Sequence, residues 1–143
     1  MPTRAAFPAT QLQVARVTLS SAQVLQIFTT PIQIVPAQGA GLMILPIVMS
    51  ANYTFVTTQY TDHGGALNLI ASGASHVWNG MTTAGIWDQT ASQVRALPLS
   101  QSATTAASQL ANKAVIVQQS TANPTGGDGT VTVTVLYIVV PVS

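Results

Sequence analysis

Three aspartates, two histidines and four basic residues are nearly all the ionisable chemistry that this 143-residue chain offers. The carboxylates are Asp62, Asp88 and Asp128, and there is no Glu. The imidazoles are His63 and His76, and the cations are Arg4, Arg16, Arg95 and Lys113. General acid–base catalysis needs a positioned carboxylate, imidazole or amine. A paired-carboxylate glycosidase would have to draw two of these three aspartates from segments that read as turns. Serines are plentiful, but none sits in a nucleophile-elbow motif. Asp62-His63 together with His76 has ligand types that suit zinc. Yet no HExxH or dense His cluster accompanies them, and ordinary turn and surface roles weigh more. Thr125-Gly126-Gly127-Asp128-Gly129 resembles a calcium loop only superficially, because calcium takes six or more oxygens and one Asp supplies too few. The expectation is no enzyme activity, no metal and no cofactor.

The aromatic residues leave more room. Trp78 and Trp87 have three readings open to them: core, subunit interface, or a platform on which a glycan stacks. Tyr137, in a strongly apolar segment, joins them as a candidate interface side chain.

Charged residues make up 5% of the chain and hydrophobic ones 48%, whereas about 25% charged is ordinary for a soluble domain. Roughly a third of the residues are Ser, Thr, Asn or Gln, so the surface must be polar but neutral. The net charge of +1 and the lack of a basic cluster argue against nucleic-acid binding, which draws its affinity from Lys and Arg on phosphates. A net charge so near zero leaves a monomer poorly protected against self-association, which points to a permanent assembly. With no Cys there is no disulfide framework and no thiolate site. The first residues lack the apolar run of a signal peptide. The longest apolar runs, Gly41–Met49 and Val135–Val142, fall short of the ~20 residues that a membrane helix needs.

The elements follow from periodicity. Residues 1–12 read as an extended arm, since Pro2 and Pro8 discourage helix; residues 13–143 form the domain. Gln13–Leu19 alternates as a half-buried strand. Ser20 and Ser21 open a short capped helical turn through Val24 and Leu25. Ile32–Val35 is a short strand. Leu42–Met49 reads as a strand buried on both faces, with Pro46 marking an edge or a bulge. Asn52–Thr58 continues it. Ala66–Ala71, Ser75–Asn79, Arg95–Leu99, Asn112–Gln119 and Thr130–Val140 complete the strands. Asp88 or Thr90 would cap a helical turn over Ala91–Val94, Ser100–Ser108 would be loop, and Ser120–Gly129 is the clearest turn cluster. About eight short strands with turns every 8–12 residues describe a single-domain, all-β antiparallel sandwich or jelly roll with one short helix.

The order of segments also carries a resemblance. VTLSSAQVLQIFTTPIQIVPAQGAG (Val17–Gly41), GIWDQTASQ (Gly85–Gln93) and TGGDGTVTVTVLYIVVP (Thr125–Pro141) resemble a group of small tailed-bacteriophage virion proteins. That resemblance implies a capsid decoration (cement) protein or a module of a fibre, spike or baseplate, commonly trimeric. A fibre needs a shaft, such as a repeat or a long coiled coil, and this chain has none, so the cement role fits better. The expectation is then a homotrimer on the outer surface of the virion capsid, made in the host cytoplasm. Its partner would be the major capsid protein, with neither nucleic acid nor membrane involved. Arg4, Phe7 and Arg16 would make the capsid contact, and one face of Leu42–Met49 and Val131–Val140 would pack the trimer. The rival is a tail module that binds a receptor or glycan through Trp78, Tyr60, His63 and Trp87 on an exposed rim.

Overall fold

Residues 11–73, 77–81, 86–99 and 106–142 are described by a computed structural model. The arm residues Arg4 and Phe7, and also His76, lie outside the described residues.

Alternation of Val with Thr or Ser builds the largest sheet. β1 (Gln13–Leu19), β3 (Leu42–Thr54), β7 (Gln93–Pro98) and β10 (Thr130–Pro141) form it in the order β1-β10-β3-β7. In β10 the odd positions Val131, Val133 and Val135 are buried, while Thr130, Thr132 and Thr134 are only partly covered. A strand presents side chains to opposite faces with period two, so one face belongs to the core and the other does not. β3 obeys the same rule: Met49, Ala51 and Tyr53 are buried, whereas Val48 is half-buried and Asn52 exposed. The expectation that Leu42–Met49 is buried on both faces is therefore corrected, because its outward side chains meet only partial cover. Pro46 sits at a bulge, as one of its two readings proposed. Leu136 pairs with Val48 and Tyr137 with Pro46, leaving Ile47 as the extra residue.

The second sheet runs β2-β8-β5-β6, built from β2 (Ile32–Val35), β5 (Leu67–Ala71), β6 (Val77–Met81) and β8 (Val115–Gln119). Every pairing in both sheets is antiparallel. Val115, Val117, Leu67 and Leu69 from this sheet join Val131, Val133, Met49 and Tyr53 from the other in one buried cluster. That shared cluster makes the molecule an all-β sandwich, as the strand pattern predicts. A two-stranded ribbon, β4 (Tyr60–Thr61) with β9 (Thr125–Gly126), closes one end.

α1 (Ser21–Val24) is the capped turn that Ser20 signals. The Gln23 amide donates to Ser20 Oγ at 3.3 Å, and the Ser20 amide donates to Gln23 Oε1 at 2.9 Å, a reciprocal capping box. Three local expectations fail. Thr90 and Ala91 form a bend and β7 begins at Gln93, so no helical turn occupies Ala91–Val94; pairing with β3 over Tyr53–Val48 wins over the capping signal. β6 extends to Met81 because Gly80 packs beneath the Asn68 side chain, where any Cβ would collide. A second short helix, α2 (Ala107–Leu110), overlaps the expected loop, with Leu110 buried.

Candidate functional site

Asp62, His63, Asp128 and Trp87 converge on the ribbon end of the sandwich, but as a structural frame. The centre is Tyr60, fully buried at the start of β4. Its ring meets Trp87 edge-on, with centroids 5.7 Å apart, and lies 6.3 Å from Tyr53, which in turn meets Phe55 at 6.5 Å. Such tilted and edge-to-face pairs are the favoured aromatic geometries. The Tyr60 hydroxyl donates to the Gly129 carbonyl at 2.6 Å, and the Tyr60 amide donates to the Trp87 carbonyl at 3.1 Å. Burial, with the neighbouring Tyr53 and Asp128 adding to it, pushes the Tyr60 phenol well above its usual pKa. Burial also raises that of Tyr53, again with help from Asp128. The Tyr53 hydroxyl is buried with no hydrogen-bond partner among the described residues.

Trp87 is fully buried and its indole N–H donates to Gln119 Oε1 at 2.9 Å. Gln119 is fully buried as well, and its Nε2 donates to the Asp62 carbonyl at 3.2 Å. One glutamine side chain thus ties three segments together: the loop before β7, the end of β8 and the turn after β4. Trp78 is 3% exposed and Tyr137 8% exposed, with the Tyr137 hydroxyl donating to Gln13 Oε1 at 2.9 Å. The exposed rim of Trp78, Tyr60, His63 and Trp87 is corrected on this point, because the sandwich consumes its aromatic rings as core.

Asp128 acts as a clamp. The amides of Thr57 and Thr58 both donate to Oδ1 at 3.0 Å, and the Thr57 hydroxyl donates to Oδ2. The Thr57 hydroxyl, followed by the two backbone amides, holds the Asp128 carboxyl below its ordinary pKa. The adjacent Gly127 has φ +79° and lies flat against the Tyr60 ring, where any Cβ would collide. The carboxylate is therefore spent on the chain's own backbone, while Thr125–Gly126 of the expected turn pair with β4 as β9. Asp62 is likewise a turn residue: its Oδ1 accepts from the Gly64 amide at 2.9 Å. His63 takes a left-handed φ of 53° and its Nε2 lies 3.0 Å from Thr125 Oγ1. Among the described residues, no group of three or more His, Cys, Asp or Glu side chains could hold a metal ion.

Of the remaining candidates, Arg16 lies on the outward face of β1, exposed, opposite Thr134. Sequence reasoning missed Gln119 and the partners of Asp128. No local signal marks contacts made across 32 and 71 positions of chain. No protein-family model matches the chain, and no curated protein matches it. A search of solved structures finds a chain of a structure described as "Cyanophage Pam1 capsid asymmetric unit". The match covers 96% of this chain and 99% of that one, with a TM-score of 0.51 and 18% sequence identity. The two chains share a fold over essentially their whole lengths.

Proposed function

We propose that this chain is a structural protein of a bacteriophage capsid, a decoration protein that binds the assembled major-capsid-protein lattice as a homotrimer on its outer surface. The observation that carries the reading is the full-length match to a chain from a phage capsid structure, extending over both chains with neither left over. Two features support it. The strand orders β1-β10-β3-β7 and β2-β8-β5-β6 are those of a jelly roll, an arrangement that viral capsid domains use. Asp62 and Asp128 are spent on the chain's own turns, which suits a role that is structural and needs no enzyme chemistry and no cofactor.

The mechanism is linkage. A protein that binds the assembled lattice, but not free subunits, stabilises that lattice by mass action, by about 2.7 kcal/mol per site at a hundredfold excess over Kd. A trimer engages three sites at once, so each contact benefits from the effective concentration set by the other two. Residues 1–16 would make the capsid contact, with Phe7 as anchor and Arg4 and Arg16 pairing with acidic capsid groups. With 5% charged residues, the contact rests mostly on shape and neutral groups and resists salt. Co-sedimentation with undecorated capsids tests this. Full-length protein should pellet with capsids in low and moderate salt, and a chain lacking residues 1–12 should stay in the supernatant while keeping its fold. Normal pelleting of the truncated chain would overturn the arm assignment. No pelleting of the full chain would overturn the decoration role.

A further inference from the structure

We infer that copies of this chain meet through the outward face of the sheet β1-β10-β3-β7, at an apolar end formed by Val14, Leu136, Val48 and Pro98. The strand register carries the inference. Val14 pairs with Leu136, Leu136 with Val48, and Val48 with Pro98, so the four residues form one row across all four strands. Their parity is outward, because the alternate positions Val135, Tyr137 and Met49 are buried in the core. Two residues along, the row is Arg16, Thr134, Ser50 and Ala96; two further, it is Thr18, Thr132, Asn52 and Val94. The face thus changes from wholly apolar to mainly hydroxyl and amide within about 14 Å.

Three of the five large apolar side chains exposed among the described residues lie at the same end, whereas Val94 lies at the other end of this face and Val56 outside its strands. Leu12, Val14 and Ile47 are 59%, 63% and 41% exposed, and Ile47 is the residue that the bulge pushes out of register. Folded monomers rarely leave a contiguous apolar patch of this kind uncovered, and such patches mark interaction sites. The bulge keeps β3 paired on both sides of it while presenting one more side chain to the patch.

Charge and area select a second copy as the occupant. Arg16, on the edge strand β1 and so at the rim of the face where it can still reach the capsid, is the one charged side chain in these three rows, so the partner has no array of opposite charge to match. Another copy brings the same apolar row and the same hydroxyl rows, which both donate and accept. The four strand lengths at about 4.8 Å spacing give a face of about 600 Å² per copy. Doubled, that reaches about 1,200 Å², the lower edge of what specific, stable interfaces bury. The number of copies rests on the trimer reading above; the choice of surface does not.

Light scattering after size exclusion tests the surface, with circular dichroism confirming the fold of each variant. Wild type should elute as a multiple of 14.8 kDa, three copies on the trimer reading. The double variant Val48→Asp with Leu136→Asp should fall to one copy. Val14→Asp, at a position too exposed to threaten folding, should weaken association about 100-fold, as buried unpaired carboxylates do. Gln33→Asp, exposed on the other sheet, should leave the mass unchanged. A wild-type monomer overturns the inference, and so do apolar-end variants that keep the wild-type mass. A wild-type dimer split by Val14→Asp supports the surface and overturns the trimer. If removal of residues 1–10 dissolves the assembly while Val14→Asp does not, the occupant is the arm and the inference fails.

Discussion

Two buried tyrosines whose rings lie 6.3 Å apart should respond to the same substitution with opposite sign. The Tyr60 hydroxyl donates to the Gly129 carbonyl, which is itself buried. Tyr60→Phe deletes that bond and leaves a buried carbonyl unpaired, which costs about 2 kcal/mol. The Tyr53 hydroxyl is buried without a partner among the described residues. Tyr53→Phe removes a desolvated polar group and keeps the ring in contact with Phe55 and Tyr60, so stability should rise by about 1 kcal/mol. For a domain of this size, 1 kcal/mol moves Tm by about 3–4 °C. Tyr60→Phe should therefore melt about 6–8 °C lower, and Tyr53→Phe about 3–4 °C higher. Urea titration and calorimetry measure both, at one protein concentration because association shifts Tm. If Tyr53→Phe loses as much stability as Tyr60→Phe, the hydrogen-bond assignment in this cluster is wrong.

Other consequences of the same frame are testable alongside. Gln119→Leu should cost about 2–4 kcal/mol in urea unfolding, because it strands both the Trp87 indole N–H and the Asp62 carbonyl. Asp128 has a lowered carboxyl pKa in the fold, so the stability it provides is present above its unfolded value near 3.8 and is lost as pH falls through the lower folded value. Melting followed against pH should show an acid limb below about pH 3.8 that flattens in Asp128→Asn. The Tyr60 phenol is raised instead, so stability is complete below its unfolded value of 10.0 and declines as pH rises past it, less so in Tyr60→Phe. Gly127→Ala must accept both φ +79° and a collision with the Tyr60 ring, and should cost about 3 kcal/mol. Gly39→Ala, with φ +104° and open space around it, should cost only about 1–2 kcal/mol, a difference that thermal melts of the two variants resolve.

Much of the sandwich is legible in local pattern. The Thr-Val alternation of residues 130–135 sets the two faces of β10 directly, and Ser20 with Gln23 encodes a capping box within four residues. The Ser120–Gly129 cluster announces a break between strands, and the chain crosses there from β8 in one sheet to β10 in the other, but Thr125–Gly126 within it pairs with β4 as β9, which turn-type residues do not signal. The failures share a physical cause. Ala91–Val94 has a plausible cap but no helix, because a long-range partner, β3, offers the backbone a full set of hydrogen bonds. Asn79-Gly80 carries a turn signal, yet Gly80 stays in a strand because Asn68 needs the space that a Cβ would fill. α2 has Ala106 at its N-cap and no side-chain cap bond, so no residue type marks its start. At the candidate site, sequence points to Asp128, Trp87 and Asp62 as notable residues. It does not reveal their roles, because Thr57, Gln119 and Gly64 satisfy them only once the chain has folded. The aromatic residues are the clearest case: residue type alone leaves core, interface and glycan platform open for Trp78 and Trp87, and only the folded chain decides for core, with Tyr53, Tyr60 and Trp87 its largest fully buried side chains among the described residues.

The central claim is that this chain is a capsid decoration protein, and one measurement addresses it directly. An electron-microscopy reconstruction of the intact particle, at a resolution that traces the backbone, should place this sandwich on the outer capsid surface. Three copies should surround each threefold or quasi-threefold position, with residues 1–12 running onto the major capsid protein. Density for the chain in the tail or baseplate, with none on the head, would contradict the account.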